Sequence, residues 1–329
     1  MTRPSAPGYA PRFRWRWLGP RHWPFWLGLG LLILLGLLPR RLRWQLTRVI
    51  LIWLMRRKPK RLHYVRINLD LAFPNWRVEE REATIHRCFR LLAMCSMDYA
   101  LFWFAPGFWL DRRIRVKGWE HVTAAREEGR PVILFTGHTA ALEAAGIAIT
   151  RRIPASGLIR PMNHPIFDWL VARGRTRFLG RIHHRDTGMR PILRDLRAGS
   201  AFYYLPDEDL GKRETADWTF APFFATPKAT LTSLGRLTRA AGAAAIPCLA
   251  CYDPERHVYR VRVDPPLADF PGDDGAADAR AMNAALEALI RPDPSQYMWT
   301  HRLYRTRPPG APKRYKQRAR VQERDDDAG

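Results

Sequence analysis

The feature that most constrains this chain is an uncharged apolar run near its N-terminus, WPFWLGLGLLILLGLL at residues 23–38, which Pro39, Arg40 and Arg41 close. A helix that spans a bilayer needs about 17–25 apolar residues, so this run of sixteen is slightly short. Arginines that can reach the headgroups follow it, and tryptophans that suit the membrane interface begin it. The run therefore predicts a membrane-anchoring helix, and the alternative is a buried core helix.

The surroundings of this run bear on its orientation. A cleaved signal peptide is a weaker interpretation, because arginines rather than a small-residue cleavage site follow the run. A second stretch, residues 42–55, mixes Arg43 and Arg48 with tryptophans and aliphatic residues, which is typical of an interfacial helix. Five Lys or Arg precede the run and nine lie between Arg40 and Arg61, so the positive-inside rule places the rest of the chain in the cytoplasm.

Positive charge is concentrated at the two ends of the chain. Residues 1–69 contain 15 Lys or Arg and no acid, which is more than half of the net charge of +24. Residues 302–322 contain eight more Lys or Arg, and the part between is nearly neutral. Basic ends suit nucleic acid, anionic lipid or an acidic carrier protein. We divide the chain into a basic membrane anchor with an interfacial helix (1–60), a globular domain (61–315) and a charged, disordered tail (316–329).

The body of the chain alternates extended apolar runs with helical patterns. Extended runs occur at 132–135, 157–159 and 202–205, and helical patterns separate them. That alternation predicts an α/β fold. Two later runs, 245–250 and 257–263, flank a turn and are expected to pair antiparallel, so we predict a mixed sheet flanked by helices. Hydrophobic residues make up 47% of the chain, which excludes a disordered or collagen-like protein.

Several common catalytic and metal-binding patterns are absent from the sequence. It contains no GxSxG elbow, GxxxxGK phosphate loop or GxGxxG turn, which disfavours serine hydrolases, P-loop NTPases and Rossmann proteins. Cys248 and Cys251 have the spacing of half a zinc site, but they lie in an apolar run, and Cys88 and Cys95 do not supply the other half. Four cysteines are also too few for a disulfide scaffold. We therefore expect buried thiols and no metal site.

The most informative segment is VILFTGHTAALEAAG, residues 132–146. A buried strand ends at Phe135, Gly137 turns the chain, and His138 opens a small-residue helix that carries Glu143. Side chains five residues apart within a helix point about 140° apart and do not meet. If His138 lies at the cap or in the preceding loop, one ring nitrogen can donate to Glu143 while the other faces substrate, as in a general base with an orienting carboxylate. The alternative is a capping His with a surface Glu.

Together with other blocks, this segment resembles the HxxxxD/E motif of the glycerolipid-type acyltransferase superfamily. The rest of the chain resembles one branch, the late acyltransferases of lipid A biosynthesis, which add lauroyl or myristoyl groups. The matching blocks are RPMNHPIFDWL (160–170), the pair Arg185 and Asp186, YYLPDEDLG (203–211), FAPFFATPKAT (220–230) and QYMWTHRLYRTRPPG (296–310). The resemblance extends from the apolar run to about Tyr315. Thr139 departs from it, because an aromatic residue is expected after the motif His, and this affects the expected shape of the acyl pocket.

The resemblance implies an acyl-transfer reaction. Members move an acyl chain from acyl carrier protein, or sometimes coenzyme A, to the hydroxyl of a fatty chain on the glucosamine disaccharide of a Kdo-bearing lipid A precursor. His138 would remove the hydroxyl proton, and Glu143 would hold the imidazole tautomer and stabilise the imidazolium. Backbone N–H groups after Gly137 are candidates for stabilising the oxyanion. The reaction needs no covalent enzyme intermediate and no cofactor.

Three further residues enter through the matching blocks. Arg160 is the first choice for a phosphate or carbonyl contact, although an Arg before Pro is often a surface residue. Asp207 and Asp209 are expected to hold basic partners or line the site, and the alternative is turn chemistry around Pro206 and Gly211. The expected partners are acyl carrier protein, the lipid A precursor and the anionic leaflet of the inner membrane, with the catalytic domain over 61–315 facing the cytoplasm.

Two other functions stay open at this stage. An acyltransferase for another glycolipid or phospholipid would share the HTAALE block but lack the QYMW and RTRP ending. A membrane-bound nucleic-acid-binding protein without enzymatic activity would explain the charge but not the placement of His138 and Glu143, so we expect no nucleic-acid partner.

Overall fold

The computed structural model describes residues 8–57, 59–209 and 217–315. The helices in these ranges are α1 Trp23–Leu37, α2 Arg40–Arg57, α3 Lys60–Ala72, α4 Val78–Phe104, α5 Gly107–Asp111, α6 Glu120–Glu127, α7 Leu142–Thr150, α8 Pro165–Arg175, α9 Arg190–Arg197, α10 Ser233–Ala241 and α11 Gly275–Ile290. The strands are β1 Ile114–Lys117, β2 Val132–Phe135, β3 Ala155–Ile159, β4 Gly180–His184, β5 Ala201–Tyr204, β6 Trp218–Phe223, β7 Thr226–Leu231, β8 Ala244–Asp253 and β9 Val258–Val263. The predicted tail, residues 316–329, lies outside the described residues.

A seven-stranded sheet has the order β1-β9-β8-β2-β5-β3-β4. All neighbouring strands in it are parallel except β8 and β9, which form an antiparallel pair with Cys248 opposite Val263. Strands β6 and β7 form a separate antiparallel pair. The predicted mixed α/β sheet flanked by helices is therefore confirmed, and its one antiparallel pair is the one expected from the sequence.

Strand β2 shows how the sheet is covered on both faces. Val132 and Leu134 pack into a core cluster with residues of α4, α7 and α8, whereas Ile133 and Phe135 pack into a second cluster with residues of α3, α10 and α11. Alternate residues of a strand point to opposite faces, so four consecutive apolar residues require apolar cover on both sides. The result is a sheet between two helical layers.

The predicted membrane-spanning interpretation of residues 23–38 finds no support. Helix α1 has 15 residues, which corresponds to about 22 Å against a hydrocarbon core of about 30 Å. Within residues 8–57, 59–209 and 217–315, no helix has both the length and the apolar character that a membrane span requires. Helix α1 packs against α4 and leaves a row of leucines exposed, Leu27, Leu31 and Leu34.

Helix α2, predicted to be interfacial, is joined to the body by a buried charge network. The Arg43 guanidinium donates to Asp98 on α4, and both side chains are almost fully buried. Tyr259 Oη donates to the other carboxylate oxygen of Asp98 at 2.7 Å. A buried charge requires such partners, because an unpaired one carries a large desolvation penalty. On its other side α2 exposes Val49 and Trp53.

Candidate active site

Two polar side chains meet at the carboxyl edge of the sheet. Strands β2 and β5 are parallel neighbours, and Phe135 at the end of β2 lies opposite Tyr204 at the end of β5. His138 follows Phe135 by three residues, and Asp207 follows Tyr204 by three residues. Equal distances beyond two paired strand ends bring the two side chains together. This edge is where open α/β sheets bind their ligands.

The His138 imidazole is held by Asp207. Its Nδ1 lies 2.6 Å from Asp207 Oδ1, and the His138 backbone N–H donates to Asp207 Oδ2 at 2.7 Å. Tyr297 Oη donates to the same Oδ2 at 2.7 Å. Three contacts therefore fix the buried carboxylate. Because a carboxylate accepts the proton of Nδ1, Nε2 is left as the acceptor, which is the tautomer that a general base needs.

The pKa values of this pair shift in opposite directions. Burial by itself raises the pKa of Asp207, but the charge and hydrogen bonds of His138 outweigh it and hold that pKa well below its usual range. Burial lowers the pKa of His138, but the negative charge and hydrogen bond of Asp207 outweigh it, with help from Glu208, and raise that pKa above its ordinary value. The imidazolium is therefore stabilised, as a proton acceptor in catalysis requires.

The predicted pairing of His138 with Glu143 is wrong. His138 lies in the loop before α7, as the prediction required, but Glu143 on the first turn of α7 points to Arg175 at the end of α8. Arg175 donates from Nε at 2.9 Å and from its terminal nitrogen at 2.5 Å to Glu143 Oε1. The orienting carboxylate comes instead from Asp207, because His138 and Asp207 each follow the paired ends of β2 and β5 by three residues.

The C-terminal block QYMW closes over the His138 loop. Met298 N–H donates to the His138 carbonyl at 2.8 Å, and Thr139 forms an isolated antiparallel bridge with Tyr297. Gly137 allows this approach, because a Cβ there would lie 2.7 Å from Tyr297 Cε2. The most distinctive block of the sequence therefore holds both the His138 loop and, through Tyr297, the Asp207 carboxylate.

The structure does not bring the other predicted site residues together. Asp209 accepts from the backbone N–H of Thr306 at 2.6 Å and from its hydroxyl at 2.9 Å, so it ties the loop after β5 to the C-terminal block. Arg160 follows β3, is exposed, and makes no hydrogen bond or ion pair with the residues that the structure describes. Asp207 contacts His138, and the substrate-binding roles of Arg160, Asp207 and Asp209 stay predictions.

Sequence reasoning missed two polar groups beside the imidazole. The His301 ring lies 5.0 Å from the His138 ring in an edge-on arrangement, and Glu208 Oε1 lies 3.8 Å from His138 Nε2. Arg185 binds the other oxygen of Glu208 at 3.1 Å. The signal for His301 was a lone imidazole inside the apolar QYMWTHRLY block. Its function depends on a neighbour more than 160 residues away in the chain, which a motif does not reveal.

An apolar groove of about 440 Å³ reaches this site. It lies between α2 and α4, with Leu54, Phe89 and Leu92 among its lining residues, and Met298 and His301 of the C-terminal block line it as well. Its volume is within the range of ligand pockets, about 300–1,000 Å³. A chain that lies in the groove would therefore contact His301, whose ring lies 5.0 Å from the ring of His138.

Two of the backbone groups expected to stabilise an oxyanion are already used. The His138 N–H donates to Asp207, and the Ala140 N–H donates to the Gln296 carbonyl at 3.3 Å. Lys228 on β7 is fully buried, and its Nζ has no hydrogen-bond partner among the described residues. Burial lowers the pKa of Lys228, and the negative charges of Asp207 and Asp209 partly oppose that shift, so this amine belongs to the same electrostatic cluster as the carboxylates.

The geometry agrees with comparisons against known proteins. Residues 10–306 match the family described as bacterial lipid A biosynthesis acyltransferase. The chain belongs to this family. It is therefore an enzyme, an acyltransferase of lipid A biosynthesis, and the resemblance stated from the sequence blocks is confirmed.

Named relatives cover nearly the whole chain. A lipid A biosynthesis acyltransferase of Haemophilus influenzae is 35% identical over 92% of this chain and 94% of its own length. The lipid A biosynthesis lauroyltransferase of Escherichia coli is 33% identical over 93% of this chain and 99% of its own. The lipid A biosynthesis myristoyltransferase of the same organism is 30% identical over 96% of this chain and 98% of its own length. The names of these relatives differ in the acyl group.

Proposed function

We propose that this acyltransferase moves a fatty acyl chain from an acyl carrier protein thioester to a hydroxyl of a Kdo-bearing lipid A precursor, with His138 as general base and Asp207 as its orienting carboxylate. The observation that carries the proposal is the His138–Asp207 pair, 2.6 Å apart, with the His138 ring 5.0 Å from the ring of His301, which lines an apolar groove. Family membership supplies the reaction class, and the pair supplies a means of activating a hydroxyl.

The proposed reaction forms one bond and breaks another. The acceptor hydroxyl donates its proton to His138 Nε2 while its oxygen attacks the thioester carbonyl, and Asp207 stabilises the imidazolium that forms. The tetrahedral intermediate then expels the thiolate, which takes the proton from His138. The C–S bond breaks, the new C–O bond remains in the product, and the imidazole is neutral again. The cycle uses no cofactor and no covalent enzyme intermediate.

The substrate chains and the membrane suit the N-terminal helices. The groove between α2 and α4 is lined mainly by apolar residues and also by His301, so we assign it to an acyl chain. Helices α1 and α2 expose apolar side chains, and arginines such as Arg56 and Arg57 are exposed on α2. We propose that this surface attaches the enzyme to the cytoplasmic face of the inner membrane as a monotopic protein, because apolar and basic side chains together favour an anionic leaflet.

The test is mass spectrometry of purified precursor after incubation with the enzyme and carrier proteins that bear chains of several lengths. We expect the precursor to gain the mass of one acyl chain, with one length preferred and acyl carrier protein used faster than coenzyme A. His138→Ala should form at least about 10²-fold less product. Acylation of lysophospholipid instead of the lipid A precursor would contradict the proposed acceptor, and equal product from His138→Ala would contradict the proposed base.

A further inference from the structure

We propose that His138, Glu208 and His301 form a reversible binding site for a zinc-class divalent cation, and that the bound ion inhibits the enzyme. Each residue offers one ligand atom, and these atoms lie within 4.8 Å of one another. The binding part of the inference stands on this geometry alone. The inhibition part rests on the proposed function, in which His138 is the base.

The donor set is one that zinc prefers. Two imidazoles and one carboxylate ligate zinc in several hydrolases, where a fourth position stays open for water or substrate. Zinc lies about 2.0–2.2 Å from such ligands in tetrahedral geometry, so two of them lie about 3.3–3.6 Å apart. His138 Nε2 and Glu208 Oε1 are 3.8 Å apart, a few tenths of an ångström more than this separation. His301 needs to move by at most about 1.5 Å to join them, because the whole set lies within 4.8 Å.

The surrounding groups already orient the ligands. Asp207 holds His138 through Nδ1 at 2.6 Å, which leaves Nε2 toward the site and reproduces the carboxylate–histidine–metal arrangement of many zinc centres. Arg185 holds one oxygen of Glu208, and the other oxygen faces His138. His301 Nδ1 is buried without a hydrogen-bond partner among the described residues. A buried nitrogen without a hydrogen-bond partner calls for an explanation, and an ion bound by this ring would supply one.

A metal ion bound to His138 Nε2 would block catalysis. The lone pair that would accept the proton of the acceptor hydroxyl is the one that would bind the ion. A bound cation therefore removes the base and occupies the position of the attacking hydroxyl. We expect inhibition that chelation reverses and that saturating acceptor weakens.

Cobalt(II) tests the binding directly, because its visible absorption reports the ligands without any turnover. The full-length protein in detergent is freed of metal and titrated with Co²⁺, and Zn²⁺ is then added to displace it. We expect one Co²⁺ per chain with a spectrum of nitrogen and oxygen ligands, displaced by an equivalent of Zn²⁺. His301→Ala and Glu208→Gln should each weaken binding by more than about tenfold, the smallest effect expected even for a group that only supports a ligand.

The control is His86→Ala, which removes an exposed imidazole on α4 and should leave the titration unchanged. Folding of each variant is checked by thermal unfolding, and His301→Asn replaces His301→Ala if the latter does not fold. Mg²⁺ should not inhibit, because imidazole-rich sites favour zinc over magnesium. Binding that is equally strong in wild type and His301→Ala, or a thiolate charge-transfer band, overturns the site.

The two proposals fail separately in this design. If the protein binds Co²⁺ through the three residues but transfers no acyl group, the metal site is supported and the proposed function is contradicted. If the protein acylates the precursor, is insensitive to Zn²⁺ and gives no cobalt spectrum, the proposed function is supported and the metal site is contradicted.

Discussion

Two charge pairs, each with a buried carboxylate, flank the first turn of α7, and they differ in what their basic side chain can do. His138 pairs with Asp207 at 2.6 Å, and Arg175 pairs with Glu143 at 2.5 Å. An imidazole exchanges its proton near neutral pH, whereas a guanidinium stays charged at every physiological pH. The first pair can therefore move a proton, and the second can only hold α7 against α8. The HxxxxE motif supplies one member to each pair, so its spacing does not imply contact.

The largest expected effect is a loss of kcat, and it should distinguish the His138–Asp207 pair from the Arg175–Glu143 pair. His138→Ala should lower kcat by about 10²–10⁴, the usual contribution of a positioned general base. Asp207→Asn should lower it to a similar extent, because the amide cannot stabilise the imidazolium, and the double variant should fall little further since the two residues act as one unit. Rapid-quench kinetics with carrier-bound acyl donor and purified precursor measure both. Additive losses would show that Asp207 acts apart from His138.

The second expected effect concerns stability rather than rate. Glu143→Gln leaves Arg175 without its counter-charge, so the free energy of unfolding should fall by about 3 kcal/mol while kcat changes less than tenfold. Glu82→Gln breaks a more exposed pair with Arg66 and should cost at most about 1 kcal/mol. Chemical denaturation compares the two variants. If Glu143→Gln abolished turnover at unchanged stability, the Glu143–Arg175 pair would be the catalytic one.

The pH dependence of kcat/KM sharpens the comparison. His138 acts as a base only when neutral, and its pKa is raised above the ordinary value mainly because Asp207 outweighs burial. Activity should therefore fall as the pH drops through that raised pKa. Asp207→Asn should move this acidic limb to lower pH by about 1–2 units, because it removes the opposite charge. Glu143→Gln should move it much less. Profiles recorded in chelator-treated buffer test this, and equal shifts would contradict the assignment.

A smaller effect is expected where the C-terminal block meets the His138 loop. Gly137→Ala puts a Cβ 2.7 Å from the Tyr297 ring, so the free energy of unfolding should fall by about 1–3 kcal/mol, and kcat should fall because Tyr297 holds Asp207. Gly146→Ala within α7 is the control, since its Cβ would have no neighbour closer than 3.9 Å. That change should be neutral or stabilise by up to about 1 kcal/mol. If the two variants had the same stability and the same kcat, the close contact between Gly137 and Tyr297 would not matter as proposed.

The smallest expected effect lies far from both pairs, on the basic end of α2. Replacing Arg56 and Arg57 by Gln should weaken binding to anionic vesicles by about 1 kcal/mol per residue and leave binding to neutral vesicles unchanged. The apparent KM for the acceptor should rise more than kcat falls, and the difference should shrink at high salt. Vesicle sedimentation at two salt concentrations measures the first part. Equal losses on neutral vesicles would indicate misfolding.

Local sequence determined the body of the fold well. Apolar runs of four to ten residues separated by helical patterns specify a sheet between two helical layers, because such runs, as in β2, have no polar face to expose. Turn residues between the runs at 245–250 and 257–263 determined the antiparallel pair. The position of His138 in a loop after a buried strand also followed from local pattern, since Gly137 and the small-residue helix mark the turn on their own.

Only tertiary structure decided which carboxylate and which imidazole reach His138. Asp207 and His301 lie 69 and 163 residues away in the chain, and they meet His138 because β2 and β5 are paired in register and the C-terminal block bridges to Thr139. Strand pairing between distant segments depends on the whole sheet, so spacing along the chain carries no trace of it. Glu143 is near His138 in sequence, but its buried carboxylate on α7 pairs with Arg175. The sequence by itself determined the base and the family, and the tertiary structure decided the partners of that base.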